Sequence, residues 1–307
     1  MAPLFTAYFF GTLLLAMVLQ LGCASYGPSA RYKRQAPPQW DPSASIATTA
    51  PRKDITPLET RALAAPTAPT ATTAPVGRPL SVIKNELRDV ARADGRGSAL
   101  RIYKLIDEIL AQPAPKTSDD EPLVGGWTLL YTDDEPTRSS PFFWAFKKAF
   151  GDKPIPVSFA GKNNFADGVF AITDSLPPSL KKIGSAMQFV SADGNLISQV
   201  EIVSPIGTSL MTTTSRWCRT SGVVELRVLK TQILESTIAR MLNLPSSNPL
   251  ISSGFPSGAA LEIVSPGSST VSMELLYIDE TMRISRNPAD DKLFLYERSD
   301  VEKPKGL

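Results

Sequence analysis

Three groups of residues in this chain have the types and spacing to do chemistry. Carboxylates cluster at Asp133-Asp134-Glu135 and at Asp279-Glu280, a lone thiol stands at Cys218 after Trp217, and RSSPFFWAFKKAF (138–150) packs Phe142, Phe143, Trp144, Phe146 and Phe150 into nine positions. Hard divalent cations favour clustered carboxylates, so the acidic pairs open a metal reading. Both pairs sit where turns are expected, and neighbouring strand residues point to opposite faces, which favours solvated turns. A single cysteine in a strand reads as packing. The 307 residues include no histidine, which excludes Ser-His-Asp hydrolysis, Cys-His catalysis and histidine-ligated metal. If Cys23 leaves with an N-terminal signal, Cys218 has no disulfide partner in the chain. No catalytic residue, metal centre or cofactor is nominated.

The aromatic run reads as a helix. Ser140 suits the cap, Pro141 the first turn, and Gly151 the end. At about 100° per residue, Phe142, Phe143, Phe146 and Phe150 fall in one arc with Ala149, while Trp144, Lys147 and Lys148 share the other side. The phenylalanine face is expected to dock as a lid or plug, by core packing or as a ligand lining. Trp144 with its two lysines is a candidate membrane foot, or an ordinary part-exposed aromatic.

The elements that must position these groups follow from periodicity. Ile83, Leu87 and Val90, then Ile102, Leu105, Ile106 and Ile109, mark two helices broken at Gly95-Arg96-Gly97 and stopped by Pro113 and Pro115; this helical prelude spans 80–112. From Gly125 the period becomes two. Trp127, Leu129 and Tyr131 alternate with polar or opposite-facing residues, and further strands are predicted at 168–173, 185–192, 195–204, 208–218, 223–233, 260–265, 270–278, 281–286 and 292–298. The repeated EIVSP (201–205 and 262–266) reads as one strand-ending turn used twice. So many short strands predict a mainly β domain, an antiparallel barrel preceded by a short helical segment; closure leaves no edge strand. Inward Trp127, Leu129, Tyr131, Val271, Met273, Leu275 and Tyr277 would line an apolar cavity or simply fill the barrel.

Gly125-Gly126-Trp127 resembles the Gly-x-Trp entry of lipocalins, where the Trp packs under a late arginine; Arg283, Arg286 and Arg298 are the candidates. LVGGWTLLYT (123–132), RSSPFFWAF (138–146) and YIDETMRISRNPADDKLFLYERS (277–299) resemble the plastid lipid-associated proteins, or fibrillins. Asn287-Pro288 replaces the usual glycine after the second arginine. The resemblance covers roughly 80–300, within a domain placed at 79–302. It implies a lipocalin-like barrel in plastids, at plastoglobules or thylakoids, associated with prenylquinones, carotenoids or other neutral and acyl lipids, and no catalytic residues. It also places Asp279 just before an arginine strand, so a structural ion pair with Arg283 or Arg286 is expected.

Composition fits the same setting. Residues 4–22 are uncharged and end before Cys23-Ala24-Ser25, so 1–25 reads as a signal peptide or a membrane anchor. Residues 26–78 hold nine prolines, seven basic and three acidic residues, the composition of a disordered transit peptide or linker. Together these resemble the bipartite leader of algae with complex plastids. Removing residues 1–78 leaves 25 basic against 27 acidic residues, a near-neutral body that gives no reason to expect nucleic acid. The leading expectation is a non-enzymatic protein binding hydrophobic metabolites and coating a lipid-body or membrane surface. The rival is a scaffold for a plastid lipid-biosynthetic enzyme, without a ligand cavity.

Overall fold

The computed structural model describes residues 78–113, 121–151, 154–159, 162–174, 182–204, 207–220, 222–234 and 254–300. The expected signal or anchor and the Pro-rich stretch up to residue 77 lie outside these residues.

The prelude forms two helices, α1 (Leu80–Asp94) and α2 (Ala99–Leu110), joined by a 3-10 turn at Gly95–Ser98. The apolar positions predicted for their inner faces are the ones buried. Eight antiparallel strands follow in a closed ring: β1 (Gly125–Thr132), β4 (Lys182–Val190), β5 (Asn195–Ser204), β6 (Gly207–Thr220), β7 (Val223–Leu234), β8 (Thr270–Ile278), β9 (Met282–Asn287) and β10 (Lys292–Ser299). The order is β1-β10-β9-β8-β7-β6-β5-β4, and β4 returns to β1 through Gly125↔Val190 to Thr128↔Met187. Closure satisfies the backbone groups that an open edge would expose. A small hairpin, β2 (Pro154–Phe159) and β3 (Lys162–Asn164), pairs separately.

Among the described residues three more helices accompany the ring: α3 (Pro141–Phe150), α4 (Phe165–Asp174) and α5 (Ser257–Val264). Two of them correct the sequence reading, which placed strands at 168–173 and 260–265. A short apolar run has no decisive period, and the flanking polar groups decide. Asn164 Oδ1 accepts from the Asp167 N–H at 2.8 Å and starts α4 as a helix. Gly258 lets α5 lie directly on β7, since a Cβ there would meet the Val228 carbonyl oxygen at 1.9 Å. The two EIVSP copies therefore differ: Glu201–Ser204 belongs to β5, whereas Glu262–Val264 closes α5.

Two apolar clusters result. One joins Trp127, Phe142, Phe146, Val224, Met273, Phe294 and Tyr296 between the ring and α3–α5. The other packs the prelude on Tyr131, Tyr277, Met282, Ile284, Leu293 and Leu295. Along β10 the residues alternate between the two clusters, so the prelude covers the outer face of β9, β10 and β1.

Candidate functional site

Trp127 is fully buried and donates its indole N–H to the Leu123 carbonyl at 2.8 Å. Arg283 and Arg298 both stand over its ring, at 5.1 and 4.9 Å from the centroid. The expected arginine partner is thus present twice, and Arg286 is not one. Gly125 makes room for the second arginine: its φ is +130°, and a Cβ would come within 2.8 Å of the Arg298 guanidinium. Arg298 donates to the carbonyls of Pro122 and Val124.

The Arg283 guanidinium is sealed from solvent and lies 4.1 Å from the Tyr296 ring centroid. Burial lowers it to about 10, still charged at neutral pH, and pushes the Tyr296 hydroxyl up to about 12. Arg283 Nη2 donates to Gln188 Oε1 at 2.5 Å, and Gln188 Nε2 donates to the Ser139 carbonyl. Ser140, expected to cap α3 with its hydroxyl, instead donates it to Thr213 Oγ1 at 3.0 Å. Thr213, Thr231 and Ser257 continue the chain of hydroxyls. This buried polar belt seats the start of α3, with fully buried Phe142 immediately following. The plug half of the expectation holds: α3 packs against β6, β7, β8 and α5.

The membrane-foot half does not. Trp144 is only 7% exposed, packs 5.3 Å from Phe294 and donates its indole N–H to the Arg138 carbonyl at 2.6 Å. Lys147 pairs with Asp290, and Lys148, the exposed one, reaches the Thr270 carbonyl. The reason is that α4 covers the phenylalanine arc. Phe143, Phe146 and Phe150 pack on Phe165 and Phe170 at 5.4 to 6.2 Å between ring centroids, leaving the Trp144 side against β10. A helix apolar on all sides but the Lys147-Lys148 corner is buried on all the others.

Of the candidate cavity lining, Trp127 and Met273 are buried in the ring cluster, and Leu129 and Leu275 pack against it. Tyr131 and Tyr277 do not join them. A bulge between Leu129 and Tyr131, and another between Leu275 and Tyr277, reverses the alternation and turns both tyrosines onto the prelude. Each tyrosine bonds an aspartate two residues on. Tyr131 donates to Asp133, which also takes the Tyr103 hydroxyl from α2 and the Leu293 N–H. Tyr277 donates to Asp279, which also takes Lys84 Nζ from α1 and the N–H groups of Thr281 and Met282. Burial alone would raise the Asp279 carboxyl; the bonds from Lys84, Tyr277 and Thr281 outweigh it and hold it down to about 2. Asp279 therefore pairs with Lys84, not with Arg283, which faces the interior, or with Arg286, which takes Glu274 and Asp291. The two Tyr-x-Asp clasps were legible as a repeat in the sequence, at 131–133 and 277–279.

Between α3, α4 and the ends of β1 and β10 lies a groove of about 420 Å³. Part-exposed Phe143 and the buried rings of Trp144, Phe170 and Phe294 line it, and its rim carries Asp134, Arg138, Lys147, Asp167, Asp174, Asp290 and Lys292. The charges largely neutralise one another. Arg138, which burial would lower, is held up by Asp174 and Asp134 and lies 4.3 Å from the Phe170 centroid. The periodicity of 138–150 pointed to Phe143 and Trp144, but Arg138, Phe170, Asp290, Lys292 and Phe294 reach the groove only through folding. Among the described residues no group of three or more acids and cysteines is placed to hold a metal ion. Compared with protein-family models, curated proteins and solved structures, the chain finds no match.

Proposed function

We propose that this chain is a non-enzymatic plastid lipid-associated protein with a lipocalin-like ring. It binds a hydrophobic metabolite in the groove between α3, α4 and the ring, and it coats plastoglobules or thylakoid membrane. The aromatic groove carries the reading. Its volume of about 420 Å³ lies in the range of small-molecule sites, and part-exposed Phe143, backed by the buried rings of Trp144, Phe170 and Phe294, offers an aromatic surface to a planar or isoprenoid group. That volume takes a headgroup and the first part of a chain, leaving a long tail outside. The paired rim favours neutral heads such as prenylquinones over charged ones, because an ionic head would have to displace an existing partner. Two of the three stretches that resemble fibrillins build this groove: 138–146 supplies Arg138, Phe143 and Trp144, and 277–299 supplies Asp290, Lys292 and Phe294.

A benzoquinone bearing one isoprene unit tests it. Titration into the protein is expected to quench tryptophan fluorescence saturably, through Trp144, and Phe170→Ala is expected to weaken binding about tenfold. Quenching that is linear in quinone and identical in Phe170→Ala rejects the groove.

The scaffold reading retains one specific support. Leu100, Tyr103 and Leu110 are exposed along α2, Leu100 at 89%, at spacings that share a helix face. Native mass spectrometry of the protein isolated from its own cells separates the readings: a retained lipid supports the first, a stoichiometric enzyme partner the second.

A further inference from the structure

We propose that the interior of the ring is an anion-binding site centred on Arg283, taking one halide ion or the carboxylate of an acid or acyl chain. Arg283 is completely buried, yet its Nε and Nη1 meet no hydrogen-bond partner among the described residues. Besides burial, the groups acting on it are the Tyr296 hydroxyl, which is neutral at physiological pH, and Arg298, which carries the same sign of charge. Two guanidiniums therefore stand over one indole, and Arg298 is answered by backbone carbonyls, not by an acid. A buried cation without a counter-charge is strongly unfavourable, and the Trp127 and Tyr296 rings offset only part of that.

The surroundings supply hydroxyls that can turn their O–H groups towards an anion. Ser285, two residues along the same inward face of β9, and Ser198, cross-strand neighbour of Gln188, each bury a hydroxyl with no partner among the described residues. Gln188 already gives its acceptor oxygen to Arg283. Unused N–H and O–H groups around a desolvated positive charge are the requirements of an anion. The site is separate from the groove, so its test does not depend on the lipid reading.

The test is thermal melting of the full chain at constant ionic strength, exchanging sodium gluconate for sodium bromide, acetate or octanoate, with octanol as the uncharged control. Bromide or a carboxylate is expected to raise the melting temperature saturably while octanol does not. Octanoate saturating at least tenfold below acetate identifies an acyl-chain carboxylate as the occupant; equal behaviour identifies a small free anion. Arg283→Met is expected to abolish the response. Ser285→Ala, which keeps the arginine on Trp127, is expected to raise the half-saturating concentration about tenfold, and it decides the matter if Arg283→Met does not fold. A melting temperature indifferent to the anion, or a response unchanged in Ser285→Ala, overturns the site and leaves the two aromatic rings as the whole support of Arg283.

Discussion

Trp127 is the residue on which the ring end depends. Its indole fills the space under two guanidiniums and ties β1 back to Leu123, so Trp127→Ala removes packing, a hydrogen bond and two cation–π contacts together. A loss of about 3–5 kcal/mol is expected for a fully buried aromatic of this size. Urea denaturation of double mutants separates the partners. Trp127→Ala should be non-additive with Arg283→Ala and with Arg298→Ala, and additive with Arg286→Ala, which lies with Glu274 on the outer surface. Additivity with both inner arginines would show that the indole packs without them.

The prelude helices are held to the ring by apolar area and by the two Tyr-x-Asp clasps. Asp279 titrates below its unfolded value, so its contribution is complete above the unfolded pKa and disappears as pH falls through the folded value. The Lys84–Asp279 clasp should therefore stabilise fully above about pH 5 and lose its effect towards pH 2, the direction set by a carboxyl held at about 2. Asp279→Asn is expected to cost about 1–2 kcal/mol at neutral pH, allowing for the pair's partial solvation. The difference from the parent should shrink steadily between pH 5 and pH 2 in denaturant melts. A pH-independent difference would assign the loss to the backbone bonds at Thr281 and Met282.

For the whole molecule, the closed ring and the prelude bury one core on each side of β1, β9 and β10. Sharing those strands couples the two cores, so they should unfold together. A chain starting at Arg78, which itself pairs with Glu86 and Glu108, is expected to be soluble and to melt in one transition, with circular dichroism and tryptophan fluorescence coinciding. Two separated transitions would mean that the prelude is an independent unit.

Much of this architecture was written in local pattern. Short apolar runs with period-two alternation, bounded by turn residues, located all eight ring strands, because these patterns are local to each strand. The 3- and 4-residue spacing located α1 and α2 for the same reason, and Ser140-Pro141 located the start of α3. What failed was whatever depends on a neighbour from another part of the chain. Trp144 looked like an exposed face because nothing local reveals that β10 covers it. Tyr131 and Tyr277 were placed inside because a bulge is a property of strand pairing, not of one strand, and a one-residue slip turns a side chain to the other face. The short runs in α4 and α5 had too few turns to show a period, so capping and packing decided them. The chain alone thus specified which residues are apolar, in what rhythm, and that histidine chemistry is absent. Tertiary structure alone chose the partners: Arg283 and Arg298 for Trp127, Lys84 for Asp279, and β10 with α4 for the walls of the groove, since such contacts join residues far apart in sequence.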